Sequence, residues 1–181
     1  MKIHETELPG VLVLEPRVFR DDRGFFLETF RAEILRSAGV NVAFVQDNHS
    51  RSVEHTIRAL HFQTSPGQAK LVRCARGSVF DVAVDLRKSS PTFGRTFTVE
   101  LSEENHLQLF LPVGFAHGFC VTSKVADFVY KCSNYYDPST ERGIAWDSPE
   151  LAIRWPTSTP ILADRDRGNP TFSEYAGPWF P

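Results

Sequence analysis

Short apolar segments separated by glycine and proline recur at roughly 8–12-residue intervals along most of this chain, and they constrain its fold more than any other feature. The clearest is segment 79–86, in which Val79, Asp81 and Ala83 alternate with Phe80. This alternation predicts a half-buried β-strand with polar side chains on one face. Many short strands with such punctuation favour an all-β sandwich or barrel over a parallel α/β sheet.

The same patterns predict a series of strands, one helix and an irregular C-terminal tail. Residues 31–38 form the predicted helix, because Ile34, Leu35 and Ala38 make a small apolar stripe and a glycine follows. Repeated prolines after Trp155 predict a mostly irregular tail wrapped over the barrel. Strands are expected at residues 11–14, 23–30, 43–50, 57–63, 69–74, 79–86, 95–101, 107–111, 118–121 and 127–133.

Length, charge and cysteine content narrow the class of protein. A chain of 181 residues without repeats or linkers predicts one domain spanning residues 1–181. Its net charge of −2 gives no reason to expect nucleic acid or an acidic membrane surface as a partner. The sequence shows no signal-peptide pattern and no run of roughly 20 apolar residues. Cys74, Cys120 and Cys132 match no metal or redox spacing, so reduced thiols and a cytoplasmic location are expected.

Residues 112–117 have the pattern P-x-G-x-x-H, which is similar to the second half of the double-stranded β-helix, or cupin, signature. The first half of that signature usually supplies two histidines and a carboxylate to a metal ion. Here the matching region offers His61, Gln63 and then Lys70, which is a poor ligand set for a divalent cation. The pattern therefore favours a jelly-roll barrel without a metal ion. A metal site would remain possible only if His49, His61 and His117 lay close together in the fold.

His61 is the main candidate for chemistry. A lone histidine in a strand is often a core residue with satisfied hydrogen bonds, but Arg58 and Lys70 are close to it in sequence. Burying these two cations unpaired would be costly, so they are expected at a solvent-filled barrel mouth that holds an anion. Histidine is also the usual general base near neutral pH. From spacing alone, the structural and the catalytic interpretations of His61 remain equally open.

Three other places in the chain could take part. Tyr130 ends an apolar strand, and its default role is a core ring with a hydroxyl at the rim. Tyr135 and Tyr136 lie just before an Asp-Pro turn, and exposed aromatic rings there could stack on a base. Asp164 and Asp166 flank Arg165 in a charged tail segment that is by default solvated. An aspartate folded back onto a histidine ring nitrogen would instead fix its tautomer and raise its basicity.

A set of short motifs runs through the chain from about residue 15 to residue 166. They are EP at 15–16, DRGFF at 22–26, FVQDNHS at 44–50, LHFQ at 60–63, KLVR at 70–73, VFDVAVDLR at 79–87, SPTFG at 90–94, GFAHGF at 114–119 and YK at 130–131. Taken together, in this order and spacing, they resemble the dTDP-4-dehydrorhamnose 3,5-epimerase family. The similarity is specific only as a whole.

The resemblance implies an all-β jelly roll with one or two short helices, acting as a homodimer without cofactor or metal on dTDP-4-dehydro-6-deoxy-D-glucose. It implies that His61, paired with Asp166, is the proton acceptor and Tyr130 the donor on the opposite face. Lys70 would lie by the C4 oxygen, with Asp81 and His117 in support. The residues it assigns to the nucleotide-sugar, some of them reaching the partner's site, are Arg23, Phe26, Glu28, Gln46, Asp47, Asn48, Arg58, Tyr136, Glu141 and Arg165.

The expected reaction agrees with these residue types. A ketone at C4 acidifies the hydrogens at C3 and C5, and removing one gives an enolate that a lysine such as Lys70 can stabilise. Inversion then requires an acid on the other face of the ring from the base, a task that His61 and Tyr130 on different strands could share. The guanidinium groups of Arg23 and Arg58 suit a pyrophosphate. The product would enter dTDP-L-rhamnose or related deoxysugar biosynthesis, as for lipopolysaccharide.

Two positions depart from the family pattern. Ala59 stands where the family usually has glycine, two residues from His61, where an added methyl could reshape the pocket. Arg165 stands where a lysine commonly precedes the last aspartate, and it keeps the charge. Related enzymes that act only at C3 or only at C5 share nearly all of these residues, and Ala59 and Cys120 leave a mono-epimerase compatible with the sequence. A non-catalytic cupin module that binds a sugar nucleotide is a second alternative. A metal-dependent cupin enzyme is a third, although the chain lacks part of the metal-ligand set that such an enzyme needs.

Overall fold

Two antiparallel sheets and a small hairpin make up the fold in the computed structural model, which describes residues 1–181. One sheet has the strand order β1-β2-β10-β7-β12-β5, the other β13-β6-β11-β8-β9, and β3 pairs only with β4. The strands are β1 (Lys2–Glu5), β2 (Leu12–Glu15), β3 (Val18–Asp21), β4 (Gly24–Leu27), β5 (Gln46–Val53), β6 (Ile57–Gln63), β7 (Lys70–Arg76), β8 (Ser78–Asp85), β9 (Thr96–Ser102), β10 (Gln108–Leu111), β11 (Phe115–Val121), β12 (Val125–Cys132) and β13 (Glu141–Gly143). The helices are α1 (Ala32–Ser37) and α2 (Asp164–Arg167), with a 3-10 turn at Pro149–Leu151.

The predicted all-β jelly-roll class is confirmed, with differences in detail. Strand 57–63 lies where the sequence places it, and the helix expected at 31–38 is one residue shorter at each end. The long strand expected at 23–30 is instead one arm of the β3–β4 hairpin. The tail is less irregular than predicted, because it contains β13 beside β6 and the short helix α2. No helix has the length and apolar character needed to cross a membrane.

The main core lies between the two sheets. Val72 on β7 and Phe128 on β12 come from the six-stranded sheet, and Ala83 and Phe119 come from the other. The rings of Phe119 and Phe128 stack with their centroids 4.2 Å apart, so they join the sheets at the centre of the barrel. Burial of apolar area from both sheets at once is the main force that holds such a sandwich together.

A second core covers the outer face of the five-stranded sheet. Leu60 and Val82 project from that face and pack with Ile144, Tyr175 and Phe180 of the C-terminal tail. The prediction that segment 79–86 is half-buried is therefore wrong, because the tail covers its apolar face and the opposite face is buried in the barrel interior. A third, smaller core packs α1 on the outer face of the six-stranded sheet.

A bulge interrupts the pairing of β6 with β11. Arg58 pairs with Phe119 and His61 with His117, so three steps along β6 match two along β11. Strict alternation would place Arg58 and His61 on opposite faces, but the bulge turns both towards the barrel interior. The two intervening residues, Ala59 and Leu60, belong to the outer core.

Gly118 makes room for the bulge. A Cβ added at this position would overlap the Cβ of Ala59 and lie 2.9 Å from the backbone oxygen of Arg58. Ala59 is fully buried, and its φ is not positive. The methyl that distinguishes it from glycine is therefore accommodated by the missing side chain of its neighbour.

Asp85 anchors the turn that follows β8. Its carboxylate accepts hydrogen bonds from the backbone and guanidinium of Arg87 and from the hydroxyls of Ser90 and Thr92. Burial alone would raise the pKa of Asp85, but these hydrogen bonds outweigh it and lower the pKa to about 2. The ionised form is therefore the one that stabilises the fold.

We expect Asp85→Asn to lower the free energy of unfolding by about 1–2 kcal/mol at pH 7, measured by urea denaturation. An aspartate of depressed pKa stabilises above its unfolded value of ~3.9, and this contribution is lost as the pH falls towards 2. The gap between the wild type and the variant should therefore close between about pH 4 and pH 2. Asp22→Asn, at an exposed turn residue, is the control. A gap that is absent at pH 7, or constant down to pH 2, would contradict this assignment.

Candidate active site

A cavity of about 310 Å³ opens between the two sheets. The five-stranded sheet contributes residues from β6 and β11, and the six-stranded sheet contributes residues from β5, β7 and β12. Most of the residues predicted for the site line it: Gln46, Asn48, Arg58, His61, Lys70, His117, Tyr130, Tyr136, Glu141 and Arg165.

His61 and Asp166 form a close polar pair in this cavity. The Nε2 atom of His61 lies 2.8 Å from Oδ1 of Asp166, whose side chain is only 2% exposed. Helix α2 of the tail supplies this aspartate from 105 positions along the chain. With Nε2–H donating to the carboxylate, Nδ1 carries the lone pair and can accept a proton. The pair thus has the geometry of an oriented general base.

A second histidine and aspartate pair stands beside the first. Nε2 of His117 lies 3.0 Å from each carboxylate oxygen of Asp81, which is fully buried on β8. The imidazole also stacks against the ring of Phe128, with centroids 5.9 Å apart. A buried carboxylate and an aromatic ring therefore fix the orientation of His117 in the cavity wall.

Lys70 brings an unpaired cation into the cavity. Its ammonium makes no hydrogen bond or salt bridge within the chain and keeps some accessible surface on the cavity. Burial lowers the pKa of Lys70, against the opposing attraction of Cys132, Glu141 and Asp81. An ammonium in this position is free to bind an anionic oxygen of a ligand.

Tyr130 faces His61 from the other sheet. It lies on β12, with its ring centroid 6.0 Å from the ammonium nitrogen of Lys70. Burial raises the pKa of Tyr130, so the phenol stays protonated at neutral pH and can donate. A base on one wall and an acid on the opposing wall can act on the two faces of a flat ligand held between them.

Polar side chains connect the rim of the cavity. The hydroxyl of Tyr136 donates to Oε2 of Glu141 at 2.8 Å, and Arg165 donates to the same oxygen at 3.0 Å. The backbone N–H of Tyr136 donates to Oε1 of Gln46, whose amide in turn donates to Asn48. The exposed ring of Tyr136 and three cationic side chains therefore line the same cavity. The cations are Arg58, Lys70 and Arg165.

Four predicted site residues lie away from this cavity. Arg23 pairs with Asp21 and its side chain is 90% exposed, while Phe26 is 70% exposed, because both lie on the projecting β3–β4 hairpin. Glu28, just after that hairpin, pairs with Arg31. Alternation along β5 turns Asp47 to the outer face, where it accepts from Lys131. The single chain therefore does not bring these four residues to the site.

The alternative in which His49, His61 and His117 meet around a metal does not match the geometry. His49 lies on the outer face of β5, 3.5 Å from Asp127, and only His61 and His117 line the cavity. Each of the latter two is already paired with its own aspartate. No group of three or more histidine, cysteine, aspartate or glutamate side chains is arranged as a metal site.

Several cavity residues were not predicted as site residues. They are Ser50, Phe62, Gln63, Gln68, Phe119, Phe128 and Cys132. Alternation could have found most of them, since Ser50 lies two residues from Asn48, and Phe128 and Cys132 lie two residues either side of Tyr130. Gln63 also orders the rim, because its side chain accepts from the backbone N–H of Asp137.

Comparisons with known proteins show which family this chain resembles. Residues 5–174 match the family described as dTDP-4-dehydrorhamnose 3,5-epimerase. A relative of that name from Shigella flexneri is 54% identical over 168 residues, 92% of this chain and 93% of the relative. The one from Escherichia coli K12 is 52% identical, over 92% of this chain and 91% of the relative. A dTDP-4-dehydrorhamnose 3-epimerase from Streptomyces niveus is 41% identical, over 92% of this chain and 82% of the relative.

Solved structures extend the match to the fold. The dTDP-6-deoxy-D-glucose-3,5-epimerase of Legionella pneumophila, crystallised with dTDP-4-keto-L-rhamnose, superposes with a TM-score of 0.93 at 44% identity. That alignment covers 96% of this chain and 93% of the other. The match to the family covers most of the sequence, and the fold agrees over nearly the whole chain. The chain therefore belongs to the dTDP-4-dehydrorhamnose 3,5-epimerase family.

Proposed function

We propose that this chain epimerises dTDP-4-dehydro-6-deoxy-D-glucose at C3 and C5 to give dTDP-4-dehydro-L-rhamnose. The observation that carries the proposal is the placement of the His61–Asp166 base and the Tyr130 acid on opposing sheets, with the unpaired ammonium of Lys70 in the same cavity. Seven relatives that share 43% to 54% identity with this chain are each named dTDP-4-dehydrorhamnose 3,5-epimerase.

In this mechanism the ketone at C4 makes the neighbouring C–H bonds acidic. Nδ1 of His61 accepts the proton, and Asp166 stabilises the imidazolium that forms. Charge then develops on the C4 oxygen, where the ammonium of Lys70 can bind it. Burial partly desolvates this cation, so its attraction for the enolate is stronger than it would be in bulk water.

Tyr130 completes the inversion. Its raised pKa, caused first by burial, keeps a proton on the phenol for delivery to the face opposite the base. Base, acid and charge stabiliser are all side chains of this chain, so the proposed reaction uses no cofactor. The buried Asp81–His117 pair shapes the wall next to these groups.

The nucleotide part of the substrate fits the charged rim. Arg58 and Arg165 offer guanidinium groups to the diphosphate, and the half-exposed ring of Tyr136 can stack on thymine. Gln46, Asn48 and Glu141 supply hydrogen-bonding groups along the same edge.

We further propose a homodimer in the cytoplasm. The β3–β4 hairpin carries Phe25 and Phe26, whose side chains are more than half exposed, and Arg23 projects beside them. Exposed aromatic residues on a projecting hairpin suit docking to a second copy. In such a dimer Arg23, Phe26 and Glu28 would complete the partner's site.

A mono-epimerase is the second candidate. The Streptomyces niveus relative is named as a 3-epimerase, and a 3'-monoepimerase from Streptomyces bikiniensis, solved with dTDP-quinovose, is 36% identical with a TM-score of 0.89. Both are less similar to this chain than the 3,5-epimerases named above. A sugar-nucleotide-binding module without activity would need neither a base nor an acid on facing walls.

NMR of the substrate in D₂O with this protein tests the proposal directly. We expect deuterium at both C3 and C5 and, in the presence of a 4-keto reductase, dTDP-L-rhamnose as the trapped product. Uptake at one carbon alone would establish the mono-epimerase, and binding of dTDP without exchange would establish the binding module.

Substitutions then separate the two catalytic roles. His61→Ala should lower exchange at both carbons by on the order of 10²–10⁴-fold, because the base is lost. Tyr130→Phe should lower the yield of inverted product by more than it lowers exchange, since His61 can still return a deuteron to the original face. His4→Ala and Tyr135→Phe, at exposed positions, are the matched controls. Full activity in His61→Ala would overturn the mechanism.

Ala59→Gly tests whether the extra methyl matters to the reaction. Its side chain lies in the outer core, so we expect exchange at C3 and C5 within about twofold of wild type. Loss of a buried methyl and the freedom of glycine should lower the free energy of unfolding by about 1–2 kcal/mol. Ala116→Gly, also in the outer core, is the control. A changed ratio of C3 to C5 exchange would show that Ala59 shapes the cavity after all.

A further inference from the structure

Arg165 lies between two carboxylates that belong to different parts of the site. Its NH1 atom lies 3.0 Å from Oε2 of Glu141, and its Nε atom lies 3.4 Å from Oδ1 of Asp166. That Asp166 oxygen is the one that His61 contacts. The Glu141 oxygen is likewise the one to which Tyr136 donates its hydroxyl. One guanidinium thus joins the two polar pairs.

The resulting chain of contacts leads from solvent to the buried base. Tyr136 at its outer end is about half exposed, whereas Asp166 at its inner end is 2% exposed. Its members come from the loop after β12, from β13, from α2 and from β6, so no single element fixes their arrangement. Side-chain contacts therefore link the rim where the nucleotide is proposed to bind with the proposed base.

We propose that Arg165 is a positioning residue that couples the Tyr136–Glu141 rim to the His61–Asp166 pair. A planar guanidinium can interact with two carboxylates at once. Here it donates a hydrogen bond to Glu141, and its Nε atom makes an ion-pair contact with the Asp166 oxygen that orients His61. This inference rests on the proposed function for the identity of the ligand. It adds that the nucleoside diphosphate end of the substrate, held beside Tyr136 and Arg165, helps to set the geometry of the base.

Two simpler roles predict different behaviour. As a surface ion pair, Arg165, with a side chain that is 58% exposed, would contribute little to stability and nothing specific to turnover. As a phosphate ligand only, it would change KM and leave kcat unaffected. A positioning role instead lowers kcat, because the base is less well oriented in every bound complex.

The chain offers a matched control on the same helix. Arg167 is exposed, and its only side-chain hydrogen bond is a long contact of 3.4 Å to the backbone oxygen of Leu162. Arg165→Met and Arg167→Met therefore remove the same charge and the same atoms from α2. Tyr136→Phe and Tyr135→Phe form a second pair, in which only the first hydroxyl has a partner in the chain.

Solvent exchange is first established for the wild-type protein. The experiment then measures kcat and KM for the wild type and for each of these variants. We expect kcat to fall about tenfold in Arg165→Met, a loss comparable to one charge-assisted hydrogen bond. In Tyr136→Phe we expect kcat to fall about threefold, because the lost hydroxyl reaches Arg165 only through Glu141. Arg165→Lys should retain kcat within about threefold, because an ammonium keeps a cation between the two carboxylates. Arg167→Met and Tyr135→Phe should match the wild type.

A second readout does not depend on turnover. The imidazole N–H proton of His61 that is hydrogen-bonded to Asp166 should give a downfield proton NMR signal, absent in His61→Ala. We expect this signal to shift or broaden in Arg165→Met and to stay unchanged in Arg167→Met.

An unchanged signal in Arg165→Met, or a rise in KM without a fall in kcat, would overturn the coupling even where the wild type is active. Absence of exchange in the wild type would instead overturn the proposed function, whatever the NMR signal shows.

Discussion

The register shift between β6 and β11 decides which side chains reach the cavity. Without it, Arg58 and His61 would project from opposite faces of β6, because they are separated by three positions. The shift is possible because Gly118 has no side chain where Ala59 packs. One strand can then present a cation and a base to the interior and two apolar residues, Ala59 and Leu60, to the outer core.

That outer core ties the chemistry to the tail. Tyr175 and Phe180 pack on the same face as Leu60, and the tail between Gly143 and these aromatic residues carries α2 with Asp166. The tail that shields an apolar face from water also returns an aspartate to the ring nitrogen of His61. Apolar packing on the outer face of β6 thus holds the tail in place, and the tail supplies the Asp166 contact to His61 on the inner face. The same tail segment therefore contributes to both stability and the proposed function.

Features that depend on neighbouring residues were predictable from sequence, whereas features that depend on contacts between distant parts of the chain were not. Alternation is local, and it correctly predicted that many short strands form a barrel. Pairing of His61 with Asp166 was implied by the family resemblance, since no local rule relates residues 105 positions apart. The prolines of the tail predicted that it wraps over the barrel. Which strand the tail covers, and where the bulge lies, depend on packing between distant segments, so periodicity could not predict them. Arg23 and Glu28 carry no local signal that separates a cavity residue from one on a projecting hairpin.

The buried charges differ in one respect that bears on the reaction. Asp81, Asp85 and Asp166 each have a cationic or histidine partner inside the fold. Lys70 does not, although burial disfavours its charged form and lowers its pKa. A site that desolvates an ammonium without neutralising it interacts most strongly with whichever ligand state places negative charge beside it. In the proposed reaction the ketone carries no such charge and the enolate does, so the same desolvation that destabilises the empty site favours the intermediate over the substrate.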